Sequence, residues 1–234
     1  MNLLVSDYDD TFYLNRYNIK LNVRKIHEFR NAGNLFAIAT GRGFQSIKAA
    51  IKEHSIPYDY LICMDGAATF DQQDNILGQY PFNDNENNLI SAMIDSFPRF
   101  KLSSNFTATN NSQEIIGYSL LSPYYKTLKE FIIELKRELP NIDIHGGFMY
   151  CLINKILMNK SIAIQHLSNT LDIPKEDIFT IGNDKNDYEM VRDFNGYKML
   201  IHHPILNGVA QGTYTSVYKL TDDIMHGVSK IKEK

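Results

Sequence analysis

Short apolar runs that end in polar turns alternate with amphipathic stretches through the first part of this 234-residue chain. Leu3 to Ser6 reads as a strand. Val23 to Ala32 reads as a helix with Ile26 and Phe29 on its inner side and Gly33 as its stop. Leu35 to Ala39 is a second strand, Phe44 to His54 a second helix, and Tyr60 to Met64 a third strand that breaks at Asp65-Gly66. Buried strands separated by helices predict a parallel sheet. From Ala67 to Tyr80 two short β segments flank the polar turn Asp71 to Asn75, which suits a hairpin.

The rhythm then changes. Asn83 to Phe97 predicts a helix, Phe100 to Phe106 and Glu114 to Leu120 strands, Tyr124 to Leu139 a helix, and Ile142 to His145 and Met149 to Ile153 strands. An α-β-β-α-β-β block has no place in a parallel winding, so it reads as a module inserted between core strands. Alternation returns with Asn159 as N-cap of a helix to Leu171, a strand over Ile178 to Ile181, a short helix from Asn186 and a strand over Tyr197 to Ile201. Asp222 to Lys232 closes the chain as a helix. The expected fold is α/β, a Rossmann-like doubly wound parallel sheet with an α+β insertion; residues 1–82 and 154–234 form the core and 83–153 the insertion.

Composition narrows the field. Hydrophobic residues make up 44% of the chain, enough for a packed interior, and the formal net charge of -3 offers no basic face for nucleic acid. The N-terminus runs from Met1 into a strand without the apolar stretch of a signal peptide, and no segment has the length of a membrane span. Cys63 and Cys151 lie in apolar runs and form neither a disulfide framework nor a metal pair. A cytoplasmic protein is expected.

The chemistry gathers at strand ends. Asp7-Tyr8-Asp9-Asp10-Thr11 follows the first strand and forces carboxylates two residues apart into one crevice, a strain that a cation relieves. Thr40-Gly41-Arg42 follows the second strand, Lys160 opens a helix, and Gly182 to Asp187 follows a later strand. Singly, these are an ordinary helix entry, a first-turn lysine and an N-cap. In a doubly wound sheet the carboxyl ends of the strands share one edge, so residues distant in sequence meet there.

The ordered set Asp7-x-Asp9-x-Thr11, Thr40-Gly41, Lys160 and Gly182-x-x-x-Asn186-Asp187 resembles the haloacid dehalogenase superfamily of phosphotransferases. The insertion point, with Ala39-Thr40-Gly41-Arg42 and Asp65-Gly66-Ala67, is similar to its Cof-type branch, subfamily IIB, with a C2 cap. The resemblance implies a magnesium-dependent phosphatase of a small phosphorylated metabolite such as a sugar phosphate. In that reading Asp7 is the nucleophile and forms an aspartyl phosphate, and Asp9 is the general acid and base. Thr40 and Lys160 complete the catalytic set, with Asp187 holding the Lys160 ammonium in place. Asp10, Thr11, Gly41, Arg42 and Asn186 serve phosphate or substrate, with Thr11 bracing the first loop and only the backbone N–H of Asp10 facing phosphate. Mg²⁺ is held by Asp7, the carbonyl of Asp9, Asn183 and Asp187, oxygen donors that manganese or cobalt would also accept.

Three positions depart from the family pattern. Asn183 stands where a carboxylate is usual, which predicts weaker metal binding unless Asp184 or Asp187 takes part. Asp10 replaces a frequent Gly, and Asp65 a frequent Asn, so Asp65 either selects substrate hydroxyls or caps its turn. Arg42 guards the mouth or pairs with Asp65. Substrate choice is expected in residues 83–153, where Tyr124, Tyr125, His145 and Met149 are candidates for the roof or for the module's own core. Two alternatives remain: a phosphomutase or phosphotransferase with the same intermediate, and a non-catalytic binding regulator. The protein is expected to act as a monomer or homodimer, without nucleic acid or membrane.

Overall fold

The computed structural model describes residues 1–97, 101–107, 114–146, 149–155 and 158–227, except for the side chains of 101–106 and 145–146. The chain opens with β1 (Leu3–Ser6), α1 (Arg16–Asn31), β2 (Leu35–Ala39), α2 (Phe44–His54), β3 (Tyr60–Cys63), β4 (Ala68–Asp71) and β5 (Ile76–Gln79). There follow α3 (Asp84–Ser96), β6 (Lys101–Thr107), β7 (Ile115–Leu121), α4 (Tyr125–Glu138), β8 (Ile142–Gly146) and β9 (Tyr150–Lys155). The last part holds α5 (Lys160–Leu171), β10 (Ile178–Gly182), α6 (Tyr188–Asp193), β11 (Asn195–Met199), β12 (Gly212–Tyr214) and α7 (Val217–Met225).

The larger sheet has the order β12-β11-β10-β1-β2-β3-β4-β5, parallel from β12 to β3, with β4 and β5 added antiparallel. Its two faces are sorted by the strand period of two. Leu4, Phe36, Ile38 and Leu61 meet Ile26, Phe29, Ile47 and Leu220 of α1, α2 and α7. Leu3, Val5, Ala37, Ala39 and Ile62 meet Ala163, Ile164, Met190 and Val191 of α5 and α6. The sheet is thus doubly wound, as the alternation predicts. The chain leaves β1 for β2 on one side and returns to β10 on the other, so a crevice opens between the ends of β1 and β10.

The second sheet, β6-β7-β9-β8, is antiparallel and packs Tyr118, Leu120, Cys151 and Ile153 against Ile90, Met93, Leu128 and Phe131 of α3 and α4. Its opposite face carries Ser119, Leu121, Tyr150 and Leu152, paired across β7 and β9.

Some boundaries differ from the sequence reading. α1 starts at Arg16 rather than Val23, because Asn15 accepts from the N–H groups of Tyr17 and Asn18 and buried Asn22 donates to Phe12 O at 2.7 Å. β11 begins two residues earlier than the apolar run suggests. The short strand β12 was not expected. The closing helix starts at Val217 instead of Asp222, and the expected stretch beyond Gly227 lies outside the described residues.

Candidate active site

Asp7 directly follows β1, and its N–H donates to Ile181 O at 3.0 Å, which fixes it in the crevice between β1 and β10. Lys160 is the first residue of α5, behind the N-cap Asn159, whose side chain accepts from Ile162 N–H at 3.0 Å. Its side chain is fully buried, and its ammonium lies 2.7 Å from Asp7 Oδ1 and 2.6 Å from Asp187 Oδ1. Burial opposes the charge on Lys160, but Asp187, Asp7 and Asp65 outweigh it and hold its pKa above the usual lysine value. Burial pushes the Asp7 carboxyl up to about 7 against the pull of Lys160. The Lys160 ammonium thus bridges the carboxylates of Asp7 and Asp187, of which Asp7 lies on the cavity side.

Asp187 is fully committed. Its Oδ2 accepts from the N–H groups of Asn183 at 2.7 Å and Asp184 at 3.0 Å, while Oδ1 holds Lys160. The turn closes this tightly because residue 182 is Gly: a Cβ there would stand 2.4 Å from the Asp187 carboxylate. Both Asp187 oxygens are thus engaged with Lys160 and with its own turn, and the residue stands outside the cavity lining, whereas the sequence reading placed it among the metal ligands.

A different group of oxygens converges beside it. One end of the Asn183 amide lies 3.2 Å from both Asp7 Oδ2 and Asp9 O, and 2.9 Å from Thr11 Oγ1. With nitrogen at that end the amide donates to all of them. With oxygen there, lone pairs of Asn183, Asp7 and Asp9 face one another, which only a cation between them makes favourable. This carboxylate, carbonyl and amide suit a small hard cation. Among the described residues no group of three or more His, Cys, Asp and Glu is arranged to hold a metal ion, so a cation here would rest on one carboxylate with a carbonyl and an amide.

The rim differs in detail from the sequence reading. Arg42 pairs with Asp9 through Nε at 2.8 Å and Nη2 at 2.5 Å, not with Asp65, and lies 4.8 Å from the centre of the Tyr8 ring. The Asp10 N–H, expected to face phosphate, donates to Tyr13 O at 3.1 Å, and the residue borders the cavity. Thr11 is buried and braces Asn183 rather than touching the cavity. Thr40 is buried beneath it, with its N–H on Ile62 O at 2.8 Å and its hydroxyl accepting from Arg42 N–H at 3.1 Å. Asn186 reaches the cavity wall and donates to Asp65 Oδ1 at 2.9 Å.

Above these groups lies a cavity of about 680 Å³, with Asp7, Asp9, Gly41, Arg42, Asn183 and Asn186 among its core lining. Ser119, Ile144, Tyr150 and Leu152 of the second sheet form its other wall. Those four were missed in the sequence. Tyr124, Tyr125 and Met149 are about half exposed and stand outside the lining, and the His145 side chain lies outside the description. The available signal was strand alternation, since Tyr150 and Leu152 share the face that Met149 and Cys151 do not.

Fold and site together define a doubly wound α/β protein that places a buried Asp–Lys–Asp cluster at a sheet switch point. A family profile described as haloacid dehalogenase-like hydrolase matches residues 4–103 and 80–200, and the chain belongs to that family. Among solved structures, a haloacid dehalogenase-like hydrolase from Bacteroides thetaiotaomicron superposes with a TM-score of 0.84 at 13% identity, covering 95% of this chain and 99% of the other. A haloacid dehalogenase-like hydrolase from B. subtilis gives a TM-score of 0.77 at 13% identity, over 97% of this chain and 99% of that one. A subclass IIB sugar phosphatase of the same superfamily gives 0.73 at 16% identity, over 97% and 98%. No curated protein matches the sequence. No described helix is long and apolar enough to cross a membrane.

Proposed function

We propose that this chain is a magnesium-dependent phosphomonoesterase that acts on a small phosphorylated metabolite of the sugar phosphate class. The observation that carries this reading is Asp7 on the cavity floor, held by the Lys160 ammonium at 2.7 Å and backed by Asp187. A phosphate monoester repels nucleophiles by its own charge, so a buried cation beside a positioned carboxylate answers both needs. The similarity to a sugar phosphatase supports the substrate class.

Asp7 attacks phosphorus, the ester P–O bond breaks, and Asp9 gives its proton to the departing alkoxide. Water then attacks the aspartyl phosphate with Asp9 taking its proton, which restores Asp7 and releases inorganic phosphate. For this Asp9 must leave the Arg42 guanidinium that holds it at the cavity mouth. Magnesium, bound by Asp7, Asp9 O and Asn183, would neutralise charge on the phosphoryl oxygens.

The test is phosphate release from a panel of sugar phosphates and other phosphorylated metabolites, with and without magnesium, for the native chain beside Asp7→Asn. Metal-dependent release that vanishes in the variant is expected. Substrate loss without free phosphate would point to transfer onto another hydroxyl, and binding without turnover would point to a regulator.

A further inference from the structure

One buried charge on the cavity wall has no part in the steps above. Asp65 lies in the turn after β3 with φ 52°, directly after Met64 with φ 51°, both in the left-handed region. The turn is fastened from several sides. Asp65 N–H donates to Thr40 O and Met64 N–H to Arg42 O, each at 3.0 Å, and Asn154 Nδ2 of β9 donates to Met64 O at 2.9 Å. The side chain is only 2% exposed, and these backbone bonds fix the turn that carries it.

Its two oxygens have different surroundings. Oδ1 accepts from Asn186 Nδ2 at 2.9 Å and lies 3.9 Å from Lys160 Nζ. Oδ2 lies over Gly41, where a Cβ would stand 3.2 Å from it and 3.5 Å from Leu152 Cδ1. Among the described residues no donor is bonded to Oδ2. The bare Gly41 Cα thus leaves a slot on the cavity wall, with an anionic acceptor on one side and an apolar side chain on the other. A ligand that covers such an acceptor without offering a donor leaves it unsatisfied and binds weakly.

Resting on the phosphatase reading, we propose that Asp65 is a specificity-determining residue that accepts a hydrogen bond from a hydroxyl or ammonium group of the leaving group. Leu152 covers an apolar edge of the same group. The site thereby prefers phosphate esters whose alcohol carries a second donor.

Binding is measured in the Asp7→Asn background by isothermal titration, so that no turnover is needed. The probes are a hexose 6-phosphate, its single-deoxy analogues, its 2-amino analogue and inorganic phosphate. Removal of one particular hydroxyl should raise Kd by about tenfold or more. Asp65→Gly, which tolerates the left-handed backbone, should reduce that ratio to about twofold or less. Asp65→Asn retains an acceptor without the charge; it should spare a hydroxyl contact and abolish any preference for the amino analogue. Ratios unchanged by Asp65→Gly would overturn the proposal. So would an equal loss for every probe including inorganic phosphate, or a hexose series that binds no better than inorganic phosphate. If the predicted ratios appear while the native chain releases no phosphate, the phosphatase reading fails and the role of Asp65 stands.

Discussion

A lysine in the first turn of a helix faces the positive end of the helix dipole, and Lys160 does so fully buried. Only the carboxylates of Asp7 and Asp187 make that placement tolerable, so its removal should reach stability and chemistry together. Lys160→Met leaves Asp187 buried without its cation, and a loss of about 3–5 kcal/mol in urea unfolding is expected along with loss of phosphate release. Unchanged stability would show that the pairing holds nothing in place. Asn183 makes the opposite case. A carboxylate there adds charge among acceptor oxygens 3.2 Å away, so Asn183→Asp should bind magnesium about tenfold more tightly by titration calorimetry and should melt at a lower temperature without metal. The gathering of Asp7, Lys160, Asn183 and Asp187 was legible in the sequence because strand ends share an edge. The bonds of Asp187 Oδ2 within its own turn and the pairing of Arg42 with Asp9 were not, since the first depends on how that turn closes and the second on the approach of two separate loops.

At the scale of elements, the alternation of apolar runs carried the doubly wound sheet, because a strand buried on both faces has little choice of residue. What escaped was set by polar groups. α1 begins at Asn15 through a cap, and its buried Asn22 breaks the apolar period on which a helix reading depends. On the cavity's second wall a shift of one residue changes the face, so Tyr150 and Leu152 point where Met149 does not. The same caps give a controlled comparison. Asn159 and Asn15 each cap a helix, but only Asn159 precedes Lys160. Alanine at either position should cost about 1 kcal/mol of stability by urea unfolding. Asn159→Ala should also lower kcat, because the turn that aims Lys160 loosens, whereas Asn15→Ala should leave kcat unchanged. Equal effects on kcat would mean that the Asn159 cap acts through stability alone.

Across the whole molecule, the two sheets keep separate apolar clusters, joined where Ile116 and Leu152 pack on the core cluster and Asn154 bonds to Met64. The proposed division at residues 82/83 and 153/154 therefore has a measurable consequence, because each sheet carries one thiol. Cys63 sits in β3 and Cys151 in β9, both buried and free. Burial pushes the Cys151 thiol up to about 12 and the Cys63 thiol above its usual value as well. At about pH 8 a thiol raised in this way is protonated and inert, and it regains ordinary reactivity only when its surroundings open. The cluster around Cys151 packs one face of four strands on two helices, whereas Cys63 lies in a sheet covered on both faces. A thinner layer opens at lower cost. In pulsed alkylation across a urea series, Cys151 should label at lower denaturant than Cys63, and a hydrolysable substrate should cease to be turned over in the first transition, because Tyr150 and Leu152 leave the cavity with it. Coincident labelling of both thiols would mean that the insertion and the core unfold as one unit, joined through Met64 and Asn154 more firmly than their separate clusters suggest.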